Sequence, residues 1–223
     1  MYNKMSKELM ASYIDHTLLK IDATYEDIER ICLEAEKYHF ASVAINPVNI
    51  SLAARYLKGT GVKVCAALGF YLGVYPSEVK VFEAHDAVKK GADELDMLMN
   101  VAALKSGNYE IIEKEVRGLV KAAEGRITKI ILETCLLSNE EIVKACQIIK
   151  SCGADFVKTS TGFKKPGATE HHVKLMRETV GDQMGVKAAG GIRNTKDALA
   201  MIKAGANRLG VSAGVDIVEG IRE

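Results

Sequence analysis

The sequence predicts an α/β fold, a single (β/α)8 barrel of the TIM type over residues 1–223. Three observations carry that expectation. Short apolar, β-prone runs recur at intervals of roughly 20 to 35 residues. Segments with helical spacing lie between them, and three helix ends share one phrase, glycine-alanine-aspartate or asparagine.

The first run, 13–17 (YIDHT), leads into a segment from Tyr25 (YEDIERICLEAEKY) whose apolar side chains fall on one face at the helical period. The runs 42–46 (SVAIN) and 62–68 (VKVCAAL) are nearly continuous in apolar residues, as strands buried on both faces are. Helical spacing returns from Glu78 (EVKVFEAHDAVKK), and Gly91-Ala92-Asp93 turns it into 94–98 (ELDML). A glycine just past a helix end supplies the left-handed cap that leads the chain tightly into the next parallel strand. A helix from Glu110 precedes 128–134 (TKIILET). Ser138 or Asn139 caps the next helix ahead of Glu140 and Glu141, and Gly153-Ala154-Asp155 closes it before 155–160 (DFVKTS). The last two runs, 185–190 (GVKAAG) and 208–212 (RLGVS), flank a helix that Thr195 caps and Gly205-Ala206-Asn207 ends. An open doubly wound sheet is the alternative, but no strand leads into a G-x-G-x-x-G or G-x-x-x-x-G-K-[ST] loop.

With 223 residues, 48% of them apolar, and no Pro- or Ser-rich linker, one sizeable core is expected. The 30 basic and 29 acidic side chains leave a formal charge of +1 without a basic run, so no nucleic-acid partner is expected and any cationic site is local. Five cysteines (Cys32, Cys65, Cys135, Cys146, Cys152) form no C-x-x-C pair in a chain too long to need disulfide staples, which fits a reducing cytoplasm. The N-terminal MYNKMSKELM has no signal-like apolar stretch, and nowhere do about 18 apolar residues run together, so no membrane partner is expected.

Barrels of this kind carry their active sites at the C-terminal ends of the strands. The polar residues there are Asp15, Thr17, Asn46, Asp96, Asn100, Glu133, Lys158, Ser160, Lys187 and Ser212. Lys158 and Lys187 are the most informative, because each follows an apolar run and precedes small residues and glycine, where a buried strand opens towards a ligand. Alternation puts Phe156, Lys158 and Ser160 on one face of a strand and Gly185, Lys187 and Ala189 on one face of the next. If both lysines face the lumen, burial and mutual repulsion make one of them an uncharged nucleophile near neutral pH, with Ala189 leaving room for a substrate. That chemistry is amine catalysis on a carbonyl. The competing reading makes both lysines structural, ion-paired to Asp96 or Glu133, and spacing alone leaves both readings open. Asp96 is accordingly a structural partner or a proton shuttle.

Gly190, Gly191, Ile192 and Arg193 follow the seventh run, and Gly210, Ser212 and Gly214 belong to the eighth and its loop. In this fold those two loops commonly bind phosphate through backbone N–H groups; the alternative is that the glycines only make tight turns. Lys164 and Lys165 either add charge to that site or are solvated. His171 and His172, adjacent on a helix, point about 100 degrees apart and do not share a metal. His16 has no further strand-end histidines with which to build a zinc site, and Cys135 has no histidine partner, so it reads as a packed thiol. No metal is expected.

The phrases IDHTLLK, GADELDM, LETCLL, VKTSTGF, GATEHHVKLMR and VKAAGGIR occur in that order from about Asp15 to Ser212. Together they resemble the deoxyribose-phosphate aldolases. The resemblance implies a metal- and cofactor-independent class I aldolase acting on sugar phosphate and aldehyde substrates, with a homo-oligomer left open. It implies that Lys158 is the Schiff-base lysine, Lys187 the second lysine and Asp96 the proton-relay aspartate. It places phosphate contacts on Gly162, Gly190, Gly191, Arg193, Gly210 and Ser212. Three stretches depart from the family pattern: Ala44 stands where members commonly have cysteine, Gly69-Phe70-Tyr71 replaces G-F-P, and Lys164-Lys165-Pro166 follows TSTGF where small residues are commoner. A class I aldolase for another phosphorylated sugar and a non-catalytic sugar-phosphate binder are the rival readings.

Overall fold

The computed structural model describes residues 5–70 and 72–222, so Tyr71 lies outside the described residues. Eight parallel strands close into a barrel in sequence order: β1 (Ile14–Leu18), β2 (Ser42–Ile45), β3 (Lys63–Leu68), β4 (Glu94–Leu98), β5 (Ile127–Ile131), β6 (Phe156–Lys158), β7 (Gly185–Ala189) and β8 (Arg208–Val211), with β8 pairing back onto β1. The helices around it are α1 (Lys7–Ser12), α2 (Tyr25–Tyr38), α3 (Ile50–Tyr56), α4 (Ser77–Lys89), α5 (Val101–Lys105), α6 (Tyr109–Ala122), α7 (Asn139–Ser151), α8 (Glu170–Val180), α9 (Thr195–Lys203) and α10 (Gly214–Glu219). The barrel and its eight strands are those the sequence predicts. No described helix is long and apolar enough to cross a membrane.

Strand alternation separates two environments. Val43, Ile45, Val64, Leu68, Leu95, Met97, Ile130, Val157, Val186 and Leu209 merge with the helices in one apolar core. The helices meet them with stripes at the helical period, such as Ile28, Ile31, Cys32 and Ala35 of α2 or Ile142, Ala145, Cys146 and Ile149 of α7. The intervening strand residues face the lumen and bring charged side chains into it among small and apolar ones, which is where the site arises.

Capping fixes where several helices start. Thr24 and Asp27 form a capping box on α2, and Ser138 and Glu141 form another on α7, each such cap contributing about 1 kcal/mol. The α7 cap is thus Ser138, not Asn139. The α9 cap is Asn194, whose side chain accepts from the Asp197 N–H at 2.9 Å, while Thr195 is the first helical residue and donates to the Ile217 carbonyl at 2.7 Å.

The repeated Gly-Ala-Asx phrase does two things. Gly91, Gly153 and Gly205 have φ of 102°, 84° and 115°, a region that side chains with a Cβ avoid. The Asx residue two positions on then accepts the N–H of the second residue of the preceding strand: Asp93 from Val64 at 2.9 Å, Asp155 from Thr128 at 2.8 Å, Asn207 from Val186 at 2.7 Å. Each phrase ends one helix and also pins the new strand's register to its neighbour.

Strand lengths differ from the apolar runs at two places that matter for the site. β5 ends at Ile131 and β6 at Lys158, so Glu133 and Ser160 lie beyond their strands. Glu133 adopts a left-handed conformation (φ 56°), and strand alternation no longer governs where it points.

Candidate active site

Lys158 and Lys187 are direct partners in the β6–β7 register, and both side chains enter the lumen. Lys158 Nζ and Lys187 Nζ donate to the same oxygen, Asp96 Oδ2, at 2.7 and 2.6 Å. Asp96 reaches them from β4 across the barrel. Its other oxygen, Oδ1, accepts from Lys129 Nζ of β5 at 2.8 Å and from the Cys65 thiol of β3 at 3.1 Å. Lys187 Nζ also lies 2.5 Å from Asp15 Oδ2 of β1. Asp15 Oδ1 accepts from Ser42 at 2.6 Å and from Arg208 Nε at 2.9 Å, and Glu94 Oε2 holds Lys129 at 2.6 Å and Arg208 at 2.8 Å. Asp15, Glu94, Asp96, Lys129, Lys158 and Lys187 are all buried. Small neighbours make room for them: a Cβ on Gly210 would come within 3.1 Å of Lys187 Cε.

Burial makes each charge depend on its partners. Burial alone would raise the Asp96 pKa, but Lys129, Lys158 and Lys187 hold it well below the usual carboxylate range. Asp15 is held low in the same way by Lys187, Arg208 and Lys129. Lys187 sits between two carboxylates, which outweigh burial and raise its pKa. Lys158 goes the other way: burial, helped by the charge of Lys187 and opposed by Asp96, lowers its pKa below that of an ordinary lysine. The Cys65 thiol is pushed up to about 12 by burial and Asp96, so it is protonated and donates.

The lumen opens at the C-terminal ends of the strands into a cleft of about 330 Å³. Lys158 lines it; Lys187, Lys129 and Arg208 do not. Gly162, Gly190, Gly191, Arg193, Gly210 and Ser212 line it as well, with Thr17, Lys20, Thr161 and Phe163. The glycine loops after β6 and β7 touch: Gly190 has φ 85°, and a Cβ there would come within 3.2 Å of the Cα atoms of Gly162 and Gly167. Phe70 stands over the amine, with Lys158 Nζ 5.4 Å from its ring centroid, and Phe163 meets Phe70 edge-on at 6.3 Å.

Other sequence candidates have local structural roles. Glu133 does not pair with a lysine but accepts from the Thr161 hydroxyl at 2.5 Å and the Thr161 N–H at 3.3 Å, shaping the loop after β6. Asn100 caps α5 through the Ala103 N–H, and Thr17 donates to the Asp15 carbonyl. His16 faces away from the lumen onto Glu34 at 2.6 Å. His171 is bonded to Asn139, and Lys164 and Lys165 are exposed outside the cleft lining. Among the described residues no group of three or more His, Cys, Asp and Glu is placed to hold a metal ion. Spacing did not single out Lys129, Glu94 or Arg208. The alternation that puts Lys158 inward, applied to β5, β4 and β8, would have found all three.

A family model described as DeoC/LacD family aldolase matches residues 9–220 of the chain. The chain belongs to this family. Among its relatives, the deoxyribose-phosphate aldolase of Clostridium perfringens (strain 13 / Type A) is 56% identical over 217 residues, 97% of each chain. That of Streptococcus sanguinis (strain SK36) is 58% identical over 208 residues, 93% of this chain and 94% of the relative. A structure described as the unique tetrameric structure of deoxyribose phosphate aldolase from Aeropyrum pernix superposes with a TM-score of 0.90 at 37% identity, covering 96% of this chain and 91% of that one. These family relationships span both the charged lumen and the glycine loops that border the cleft.

Proposed function

We propose that the chain is a class I deoxyribose-phosphate aldolase, which reversibly cleaves 2-deoxy-D-ribose 5-phosphate to D-glyceraldehyde 3-phosphate and acetaldehyde. One observation carries the mechanism: Lys158 shares Asp96 with Lys187, yet of the lumen lysines it is the one that lines the cleft. The names of the relatives support the choice of substrate.

In this reading the uncharged Lys158 Nζ attacks the aldehyde carbon of the open-chain sugar, and loss of water leaves a protonated imine. The imine is an electron sink. Asp96, through a water or through Lys187, takes the proton of the hydroxyl on the third carbon. The bond between the second and third carbons then breaks, its electron pair moves into the imine to form an enamine, and glyceraldehyde 3-phosphate leaves. Protonation of the enamine carbon and hydrolysis release acetaldehyde and restore Lys158. Because one Asp96 oxygen accepts from both lysines, a proton moves among the three groups without entering bulk water. The phosphate dianion is held at the far end of the cleft by Gly162, Gly190, Gly191, Arg193, Gly210 and Ser212, where N–H groups and one guanidinium supply the positive potential.

Residues 1–223 are read as one barrel domain, supported by the strand closure and by the family match over 9–220. A homo-oligomer in the cytoplasm is the expected setting, and the described tetramer of the Aeropyrum pernix protein favours self-association. The test is a steady-state assay of the purified chain with EDTA present, over a panel of phosphorylated sugars. The expected result is the highest kcat/KM on 2-deoxy-D-ribose 5-phosphate with release of glyceraldehyde 3-phosphate. A preference for another phosphorylated sugar, or no turnover, contradicts the reading.

A further inference from the structure

The lumen charges close into a ring. Asp15 contacts Lys187 at 2.5 Å, Lys187 contacts Asp96 at 2.6 Å, and Asp96 contacts Lys129 at 2.8 Å. Lys129 contacts Glu94 at 2.6 Å, Glu94 contacts Arg208 at 2.8 Å, and Arg208 Nε returns to Asp15 at 2.9 Å. Anion and cation alternate around all six positions, each group has at least two opposite-charge neighbours, and Lys129 also reaches Asp15 across the ring at 3.9 Å. Lys158 is not a member: it hangs from the ring at Asp96 alone. Three carboxylates are already matched by Lys129, Lys187 and Arg208, so an ammonium at Lys158 would leave one net positive charge on this buried cluster.

We propose that this closed ring, and not Lys187 alone, keeps Lys158 uncharged, with Glu94, Lys129 and Arg208 as positioning residues that set the pH range of catalysis. The inference rests on the Schiff-base role proposed for Lys158. Outside the ring, Ser42 on β2 is neutral, the Cys65 thiol on β3 is protonated and Phe70 offers the amine a ring face, while the Glu133 carboxylate beyond β5 is directed at Thr161. Coulomb forces in a buried, low-dielectric site act over the whole ring, so a charge removed on its far side reaches Lys158.

The sign of the effect separates charge from scaffolding. Removing a ring anion with Glu94→Gln makes the lumen more positive and expels the Lys158 proton more readily. Removing a ring cation with Lys129→Met makes it more negative and retains that proton. The pH dependence of kcat/KM and of borohydride trapping with acetaldehyde reads the difference. The acid limb is expected to move down by about one pH unit in Glu94→Gln and up by about one unit in Lys129→Met. In Lys129→Met, activity lost at neutral pH then returns at alkaline pH, which a packing defect would not produce. Arg208 lies at the rim of the lumen with a side chain 12% exposed, so Arg208→Gln is a third, milder probe: it should move the limb up, and Arg208→Lys should leave it in place. Each folded variant tests its own direction. A limb that stays put in Glu94→Gln, Lys129→Met or Arg208→Gln, or that moves the same way when an anion and a cation are removed, overturns the ring proposal. Failure of the wild type to trap at Lys158 instead overturns the Schiff-base reading on which it rests.

Discussion

At the scale of single residues, the two lysines differ in what they touch more than in where they sit. Both occupy inward-facing strand positions, Lys158 at the end of β6 and Lys187 in the middle of β7, and both donate to Asp96 Oδ2, but Lys187 also has Asp15 and does not line the cleft. Lys158 has one carboxylate and the opening. Asp96→Asn keeps the shape of the acceptor and removes its charge, so turnover should fall about 10²-fold or more, the usual scale for a lost general acid or base, while imine trapping persists. Stopped-flow and steady-state rates on the variant check this, and unchanged turnover would make Asp96 a structural partner only. Ser212, exposed at the end of β8 on the cleft wall, tests the phosphate end. Ser212→Asp should raise KM for the phosphorylated sugar roughly 10- to 150-fold, the worth of a hydrogen bond to a charged group, and barely change KM for unphosphorylated deoxyribose. Equal losses on both sugars would move the phosphate elsewhere. Lys158, Lys187 and Asp96 were legible in the sequence because strand alternation and flanking glycines mark them. Alternation also places Lys129, Glu94 and Arg208 inward, but the contacts that join them to the site come from barrel closure and register, such as the pairing of Asp96 with Lys129, which no local pattern encodes.

At the scale of elements, all eight strands were legible as apolar runs, and the longest helices as one-sided stripes. The short α3, α5 and α10 were not, since helices of 5 to 7 residues carry too few turns for a period to show. α4 hides its inward face for another reason: Lys80 is buried against Glu115 at 2.9 Å and the Leu98 carbonyl at 3.0 Å, while Phe82 is exposed, which inverts the usual stripe. In the sequence the Gly-Ala-Asx phrase marks a helix stop, and its second role as a register pin emerges only from the strand N–H it accepts. Asp155→Ala removes the acceptor for both the Thr128 N–H and its hydroxyl, at 2.8 and 2.9 Å. The expected cost is about 1 to 3 kcal/mol, seen as a lowered urea midpoint at unchanged slope. A wild-type midpoint would mean that the glycine cap alone defines the turn.

For the whole molecule, a lumen held by ion pairs makes stability depend on pH at both extremes. Asp15 and Asp96 have folded pKa values below their unfolded ones, so their contribution is present above about pH 4 and is lost as pH falls through the folded values. Lys129 and Lys187 have raised folded values, so theirs is present below about pH 10 and is lost as pH rises beyond it. The urea midpoint should therefore drop as pH falls below about 4 and as it rises above about 10, while the lowered folded pKa of Lys158 makes it rise with pH between those limits; a midpoint unchanged from about pH 4 to about pH 2 would contradict the assignment of Asp15 and Asp96. The same lumen yields one amine whose pKa is lowered and that opens to the cleft, and the proposed chemistry depends on its being uncharged. Borohydride reduction in the presence of acetaldehyde, followed by peptide mass mapping, tests this most directly. The expected result is one two-carbon unit per chain, on Lys158, and none in Lys158→Arg, whose guanidinium stays protonated and forms no imine. Label on Lys187, or a wild-type chain that takes no label, would contradict it.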